Sequence, residues 1–482
     1  MGLTSRASLI SSFYKEFGQS SQSELKYSLD FSQKITSDVA AQLTLKTDFA
    51  ETEVDVRRTN LTRFPLFFPE KRRFFLEGAD IFSFGLGLGK DVIPFYSRRI
   101  GLYEAQKIPI TVGGKVNGRI GNTYFGALLT QTEATDTLNT ASRQGVLRLK
   151  QNVGEESSAG FIATMGSPIS GKQEWLLGGD FTYQNSHFGG NKNFLVGVWG
   201  LYNQNPLSGD HTVCGFKIDY PNDLLDVSLT ARRIGDAFQP ALGFVPRSGI
   251  YNFRLGLDYM PRPQWSGIRQ FFFESSFNLV TNLDGVWESY RLFTAPVHFL
   301  LESGDRFEFN IVPSGENLPE DFEIEDGVVI PRGGYHWQRY RLEVESASKR
   351  RVNGEVAWWF GSFYGGRLHQ IEVGLKIRPA NTLNVGFDFE KNIARLPYGN
   401  FTQTLWASRL QFSPFPDFEL SSFIQYDNDS HEIGSNTRLR WSFSLLGDLF
   451  LVYNHNINKI ENSVWKYQSN QLILKVSYGF WR

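Results

Sequence analysis

Apolar and polar residues alternate with a period of two through most of this chain. Over residues 370–378, Ile371, Val373, Leu375 and Ile377 hold one register, and Gln370, Glu372, Gly374, Lys376 and Arg378 hold the other. After Pro379, Ala380 and Asn381 the pattern restarts, with Leu383, Val385, Phe387 and Phe389 set against Thr382, Asn384, Gly386, Asp388 and Glu390. Successive side chains of a strand point to opposite faces, so each such stretch predicts a strand with one apolar side and one side bearing ions. Near the start, Leu25, Tyr27, Leu29 and Phe31, followed by Val39, Ala41, Leu43 and Leu45, predict a hairpin. Alternation resumes over 108–119, turns at Gly121-Asn122, and persists to a last strand carrying Leu472, Leu474, Val476, Tyr478 and Phe480, before Trp481 and Arg482. No sustained apolar stripe of period 3.6 with caps competes with it.

Two stretches break the pattern. Residues 51–101 are dense in charges and phenylalanine, and aromatic content of that kind argues against disorder. Residues 313–334 carry Glu316, Glu320, Asp321, Glu323, Glu325 and Asp326 and read as a long acidic loop. Such a loop offers carboxylate oxygens to Ca²⁺ but lacks the spacing of a defined calcium loop, so a solvated surface loop is expected.

Composition narrows the fold. No run approaches the roughly 18 apolar residues of a membrane helix, and mean hydropathy is −0.29, which excludes a helical membrane protein. Aromatic residues make up 15% of the chain and glycines number 46, a mix suited to many strands, many turns and aromatic anchoring. The net charge of −1 gives no bulk attraction to nucleic acid or anionic lipid. Cys214 is the single cysteine, so an internal disulfide and a cysteine-built metal site are both excluded. Residues 1–17 lack a basic segment followed by an unbroken apolar stretch, so a secretory signal is not expected there.

A soluble sandwich, propeller or β-helix also alternates apolar with polar residues. Against these stand the absence of a 40–50-residue repeat, the amphipathic last strand, and the aromatic pairs at Trp358-Trp359-Phe360 and Phe363-Tyr364, which a membrane interface would hold. With about 20 residues for each strand and its connection, and residues 51–101 set aside, the chain predicts about 22 strands, in a range of roughly 18–26. The expected fold is all-β: a single antiparallel transmembrane β-barrel domain over 1–482, with a plug-like or constricting insertion at 51–101. Ile371, Val373, Leu375 and Ile377 should then face lipid, and Glu372, Lys376 and Arg378 a polar lumen.

The stretch Asn60-Leu61-Thr62-Arg63-Phe64-Pro65-Leu66-Phe67-Phe68-Pro69-Glu70-Lys71-Arg72-Arg73-Phe74-Phe75-Leu76-Glu77-Gly78 resembles the signature of a bacterial outer-membrane barrel family catalogued as domain of unknown function 5916. The resemblance continues through Tyr96-Ser97-Arg98-Arg99-Ile100-Gly101, Asp219-Tyr220-Pro221-Asn222, Gly243-Phe244-Val245-Pro246-Arg247 and Asn436-Thr437-Arg438-Leu439-Arg440-Trp441. It implies an outer-membrane location, and implies no activity, catalytic residue or cofactor. It also implies a signal peptide and a domain similar to carbohydrate-binding-module family 9 ahead of the barrel; neither is found in these residues.

Chemistry-bearing patterns are sparse. His187, His211, His298, His336, His369, His431 and His455 are scattered without ligand spacing, so no metal site is expected. Gly85-Leu86-Gly87-Leu88-Gly89-Lys90 lacks the features of a nucleotide loop. A barrel of this size has a lumen too wide for wall side chains to fill, which makes the insertion a candidate plug. Arg63, Glu70, Lys71, Arg72, Arg73, Glu77, Asp80, Arg98 and Arg99 form its candidate network, with lumenal ions such as Glu372, Lys376, Arg438 and Arg440 as partners. The expected function is a pore or transport component, or a partner in an envelope complex, rather than an enzyme. The alternative is a cell-surface scaffold whose long loops hold glycan or a protein partner. A membrane-embedded hydrolase would require His336 or His369 beside a serine and a carboxylate.

Overall fold

The computed structural model describes all residues except 1, 48, 50–51, 104–105, 135–140, 169–173, 461–463 and 482. The expected insertion start at Glu51, and Arg482, lie outside the described residues. One antiparallel sheet of 25 strand segments dominates, and two of them, Ile268–Phe271 and Phe273–Asn282, are separated by Phe272 alone and run on as one. The wall is therefore crossed 24 times, an even number close to the expected 22. Closure is made by Leu3–Glu16 pairing with Val464–Trp481, from Thr4 opposite Trp481 to Glu16 opposite Ser469. Among the described residues no helix is long and apolar enough to cross a membrane; strands do the crossing.

Alternation sorts the wall into two faces. In Gln22–Lys34 and Ile250–Tyr259, Leu25, Tyr27, Phe253, Leu255 and Leu257 are exposed, while Ser28 and Asn252, in the opposite register, are buried. Exposed apolar residues in one register and buried polar ones in the other invert the soluble arrangement, as a sheet between lipid and a filled lumen requires. Gly366–Ala380 and Leu383–Leu396 follow the expected break, and Glu372 stands opposite Glu390 on the inner face. The hairpin of Gln22–Lys34 with Val39–Thr47 also forms, and Gly121, at φ 59°, makes the tight turn after Ile110–Ile120.

Connections at the end holding the termini are short, such as 121–122, 381–382 and 416–417. The opposite end bears the long ones, including 235–249, 319–332 and the inserted segment. Short periplasmic turns and longer outer loops orient barrels of this kind, so the segment enters from the outer end.

Two expectations are corrected. Residues 313–334 are not one loop: Arg306–Leu318 continues as a strand, with Pro313 opposite Gln338 and Glu316 opposite Tyr335. A strand with polar side chains on its inner face and proline and glycine in its outward positions looks like a loop in sequence. The remainder folds as a small hairpin, Phe322–Glu325 with Val328–Ile330. Phe363 and Tyr364 are not membrane anchors; they are 7% and 1% exposed, in an inner cluster with Leu318, Ile330 and Leu368. The Tyr364 hydroxyl donates to Glu316 Oε2 at 2.6 Å, a polar tie no lipid-facing ring would need.

Candidate functional site

Over residues 52–101 the chain runs off the sheet and lies against inward-facing side chains. Its second part, residues 71–101, contains only short helical turns: Arg73–Leu76, Ala79–Phe82 and Ser97–Arg99. With so little internal hydrogen bonding, its carbonyls need partners, and inward residues of the wall supply them. Lys115 Nζ donates to the carbonyls of Phe74 (2.6 Å) and Glu77 (2.5 Å), Trp199 Nε1 to Leu86 (3.0 Å), and Arg232 to Leu88 (3.0 Å). Arg148, 1% exposed, donates to Ser83 O at 2.9 Å and clamps Asp180 through two bonds of 2.6 and 2.9 Å. Phe75, Phe84, Leu88, Val92 and Ile100 join inward Leu128, Ile162, Trp199 and Ile234 in one apolar core. Gly126 and Gly197 permit this approach: a Cβ at either would lie 2.8 Å from Ile81 or 2.5 Å from Leu86. Ile93 and Phe244 add a two-way backbone bridge at 2.9 Å.

The first part, residues 52–64, is extended and meets other strands. Arg57 binds Glu432, lies 3.6 Å from Asp427, and its amide donates to Gln425 at 2.9 Å. Thr59 donates to Glu390 and accepts from Asn392 at 3.1 Å. Arg63 Nε donates to Glu316 at 2.8 Å, and Glu288 is shared between Arg63 and Arg247 at 3.7 and 2.7 Å. Leu61 packs against the second apolar cluster. Trp199 lies on the ninth crossing and Asp427 on the twenty-first, half a turn apart round the wall, so the segment is tied on both sides of the lumen.

Glu70 braces the second part where it begins, and Asp55 joins the first part to it. Glu70 accepts from Arg72 Nε (2.8 Å), Ser97 Oγ (2.6 Å) and the Lys71 amide (2.9 Å). Burial pushes its carboxyl up, but the Arg72 guanidinium and the Ser97 hydroxyl together outweigh that and hold it below the usual carboxylate range. Arg72 also donates to Ile100 O and Ser97 O at 2.6 and 2.8 Å and lies over the Phe49 and Phe75 rings. Asp55 receives Arg98, with Lys71 at 3.6 Å.

Of the nine residues expected in the network, Arg63 reaches wall carboxylates, Arg99 the Gly243 carbonyl at 3.1 Å, and Glu77 the wall amide Gln42. Glu70, Lys71, Arg72 and Arg98 bond within the segment. Arg73 pairs with Glu77 at 2.6 Å in an exposed position, and Asp80 is exposed. The expected wall partners stand elsewhere: Arg438 lies 3.8 Å from Glu419 and Arg440 3.3 Å from Asp448, both within the wall, and Glu372 faces Glu390. Sequence reading missed Arg57 in the segment and Lys115, Arg148, Arg232, Glu288, Glu390 and Glu432 on the wall; an ion in the inward register is the one signal the wall residues carry.

A cavity of about 640 Å³ lies between the segment and the wall, lined by Glu24, Lys26, Lys46, Glu53, Asp55 and Arg98 among others. Gln22–Lys34 pairs with Val39–Thr47 only from Leu29 onward, so the cavity sits where one side of that strand is unpaired. His336 stacks on Trp287 and His369 on Trp358, neither in a hydrolase-like cluster. Glu274, His298 and Glu308 bring ligand atoms within 4.8 Å of one another, a grouping that spacing along the chain did not disclose.

A closed 24-strand antiparallel sheet with an apolar outer face and a polar, partly filled interior is an outer-membrane β-barrel. The sequence profile of the family described as Domain of unknown function (DUF5916) matches residues 7–115, a stretch comprising most of the first strand, the next two and the whole inserted segment. None of the curated proteins matches the chain. Among solved structures it is similar to the siderophore receptor PirA from Pseudomonas aeruginosa, at 8% identity over 99% of this chain and 80% of that one, with a TM-score of 0.49. It is similar at 9% identity, over 99% and 81% and with a TM-score of 0.47, to a mutant ferric enterobactin receptor (PfeA) from Pseudomonas aeruginosa in complex with enterobactin.

Proposed function

We propose that this protein is a solute-transporting outer-membrane pore whose lumen is occluded by residues 49–101. The observation that carries this reading is attachment of one segment to opposite sides of the wall, through Trp199 and Arg232 on one side and Glu390 and Glu432 on the other. A chain crossing the lumen of a 24-strand barrel fills space that wall side chains leave open. The cavity beside Gln22–Lys34 is space that the segment leaves next to the wall, lined by charged side chains of both. Planar-bilayer conductance tests this. The intact protein should conduct weakly, and a chain lacking residues 52–100 should open a large, steady pore. Should the shortened chain not fold, Arg148→Ala weakens docking at full length and should raise the frequency of openings. No conductance from any of these proteins would refute transport.

A second reading, a surface scaffold for glycan or a protein partner, draws on the hairpin Phe322–Glu325/Val328–Ile330, held in order by the second apolar cluster. A scaffold should bring down one partner at constant ratio from solubilised outer membrane.

A further inference from the structure

Near the end of the barrel that holds the termini, inward residues of three neighbouring strands converge. Glu274 lies at the start of Phe273–Asn282, His298 near the end of Trp287–Leu301, and Glu308 near the start of Arg306–Leu318, directly opposite His298. His298 is 3% exposed, and neither ring nitrogen has a hydrogen-bond partner. Its Nδ1 lies 3.4 Å from Glu274 Oε1, close but outside hydrogen-bond geometry. An imidazole buried without partners carries a desolvation penalty that a ligand at its nitrogen would remove.

The surroundings shape this place for a cation. Phe272 stacks on the imidazole at 4.6 Å and fixes its plane. Asn310 Nδ2 donates to Glu308 Oε1 at 2.8 Å, orienting that carboxylate as outer partners of metal ligands do. Asp258 stands directly opposite Glu274, Asp226 opposite Asp258, and Glu343 opposite Glu308. Like charges paired across strands destabilise a sheet unless something positive lies between them. Arg341 supplies part of that charge, 3.6 Å from Glu308 and in contact with Glu343, but its contacts lie on the side away from Glu274.

We propose that Glu274, His298 and Glu308 form a lumenal binding site for one first-row divalent cation, with two carboxylate oxygens and one imidazole nitrogen as protein ligands. The imidazole selects Zn²⁺ over Ca²⁺, whose sites are built of oxygen alone. The site does not depend on the barrel conducting, and its test reads metal rather than flux.

The full chain, folded in detergent and stripped with chelator, is dialysed against Zn²⁺ and its bound metal is measured by mass spectrometry. One Zn²⁺ per chain is expected, not displaced by equimolar Ca²⁺. His298→Asn and the near-isosteric Glu274→Gln should each weaken binding by about 10-fold or more, while His187→Asn, at an exposed position, should not. Heat-modifiable migration shows which variants retain the barrel, and Glu308→Gln replaces either one that does not. Unchanged Zn²⁺ affinity in folded His298→Asn, no Zn²⁺ bound by the unmodified protein, or ready displacement by Ca²⁺ overturns the proposal.

Discussion

The two parts of the inserted segment meet the same wall by different chemistry. Residues 71–101 dock through a continuous apolar core and through cations buried in the wall, with Arg148 and Arg232 almost fully enclosed. Residues 52–64 dock mainly through partly exposed ions: the Arg57 and Glu432 side chains are 26% and 23% exposed. Buried apolar contact and fully desolvated pairs resist salt and open rarely, whereas ion pairs in contact with water are worth about 0–1 kcal/mol and are screened. The second part is therefore built as an anchor and the first as a releasable strap. An opening that frees residues 52–64 while 71–101 stays docked is the movement this asymmetry favours.

The comparison can be broken most severely at Arg148. Arg148→Ala leaves the Asp180 carboxylate buried without its partner and the Ser83 carbonyl without its donor. Loss of one member of a buried pair costs about 3–5 kcal/mol, so the denaturant midpoint should fall sharply. Leu88→Ala empties a site at the centre of the same core and should cost about 2–5 kcal/mol, read in the same titration. If either substitution is silent, residues 71–101 are not an anchor.

Acid acts at the junction. The Glu70 carboxyl has a folded-state pKa held below its unfolded value of about 4.3, so the charged form favours the folded arrangement. Its contribution is complete at pH values above that unfolded value and is lost as pH falls through the lower folded-state value. Protease sensitivity of the stretches that Glu70 joins, residues 66–72 and 96–101, should thus rise only in that acidic window, and Glu70→Gln should show the loosened behaviour at neutral pH. The smallest effect belongs to Arg57→Ala, expected within about 1 kcal/mol of the parent protein in global stability, but with faster local opening of residues 52–64 at low salt.

Much of the barrel is legible in the sequence because lipid and lumen impose a strict period of two, as in Gly366–Ala380 and Leu383–Leu396. Leu3–Glu16 escaped because serine occupies outward positions 5 and 11, which dilutes its apolar face. The segment's density of arginine and phenylalanine marked it as a folded insertion, yet its partners stayed hidden. Arg148 in sequence is one more polar residue between Leu147 and Leu149, and only strand register and closure bring it to Asp180 and Ser83. The same holds for Glu274 and His298, scattered along the chain and adjacent only across paired strands.

Amide hydrogen exchange of the folded, full-length protein, followed by mass spectrometry at low and high salt, tests the division into anchor and strap most directly. Peptides from residues 52–64 should exchange quickly and faster still as salt rises, while peptides covering 72–101 stay protected and insensitive to salt. Exchange of both parts at one common rate, or faster exchange in 72–101, would contradict it.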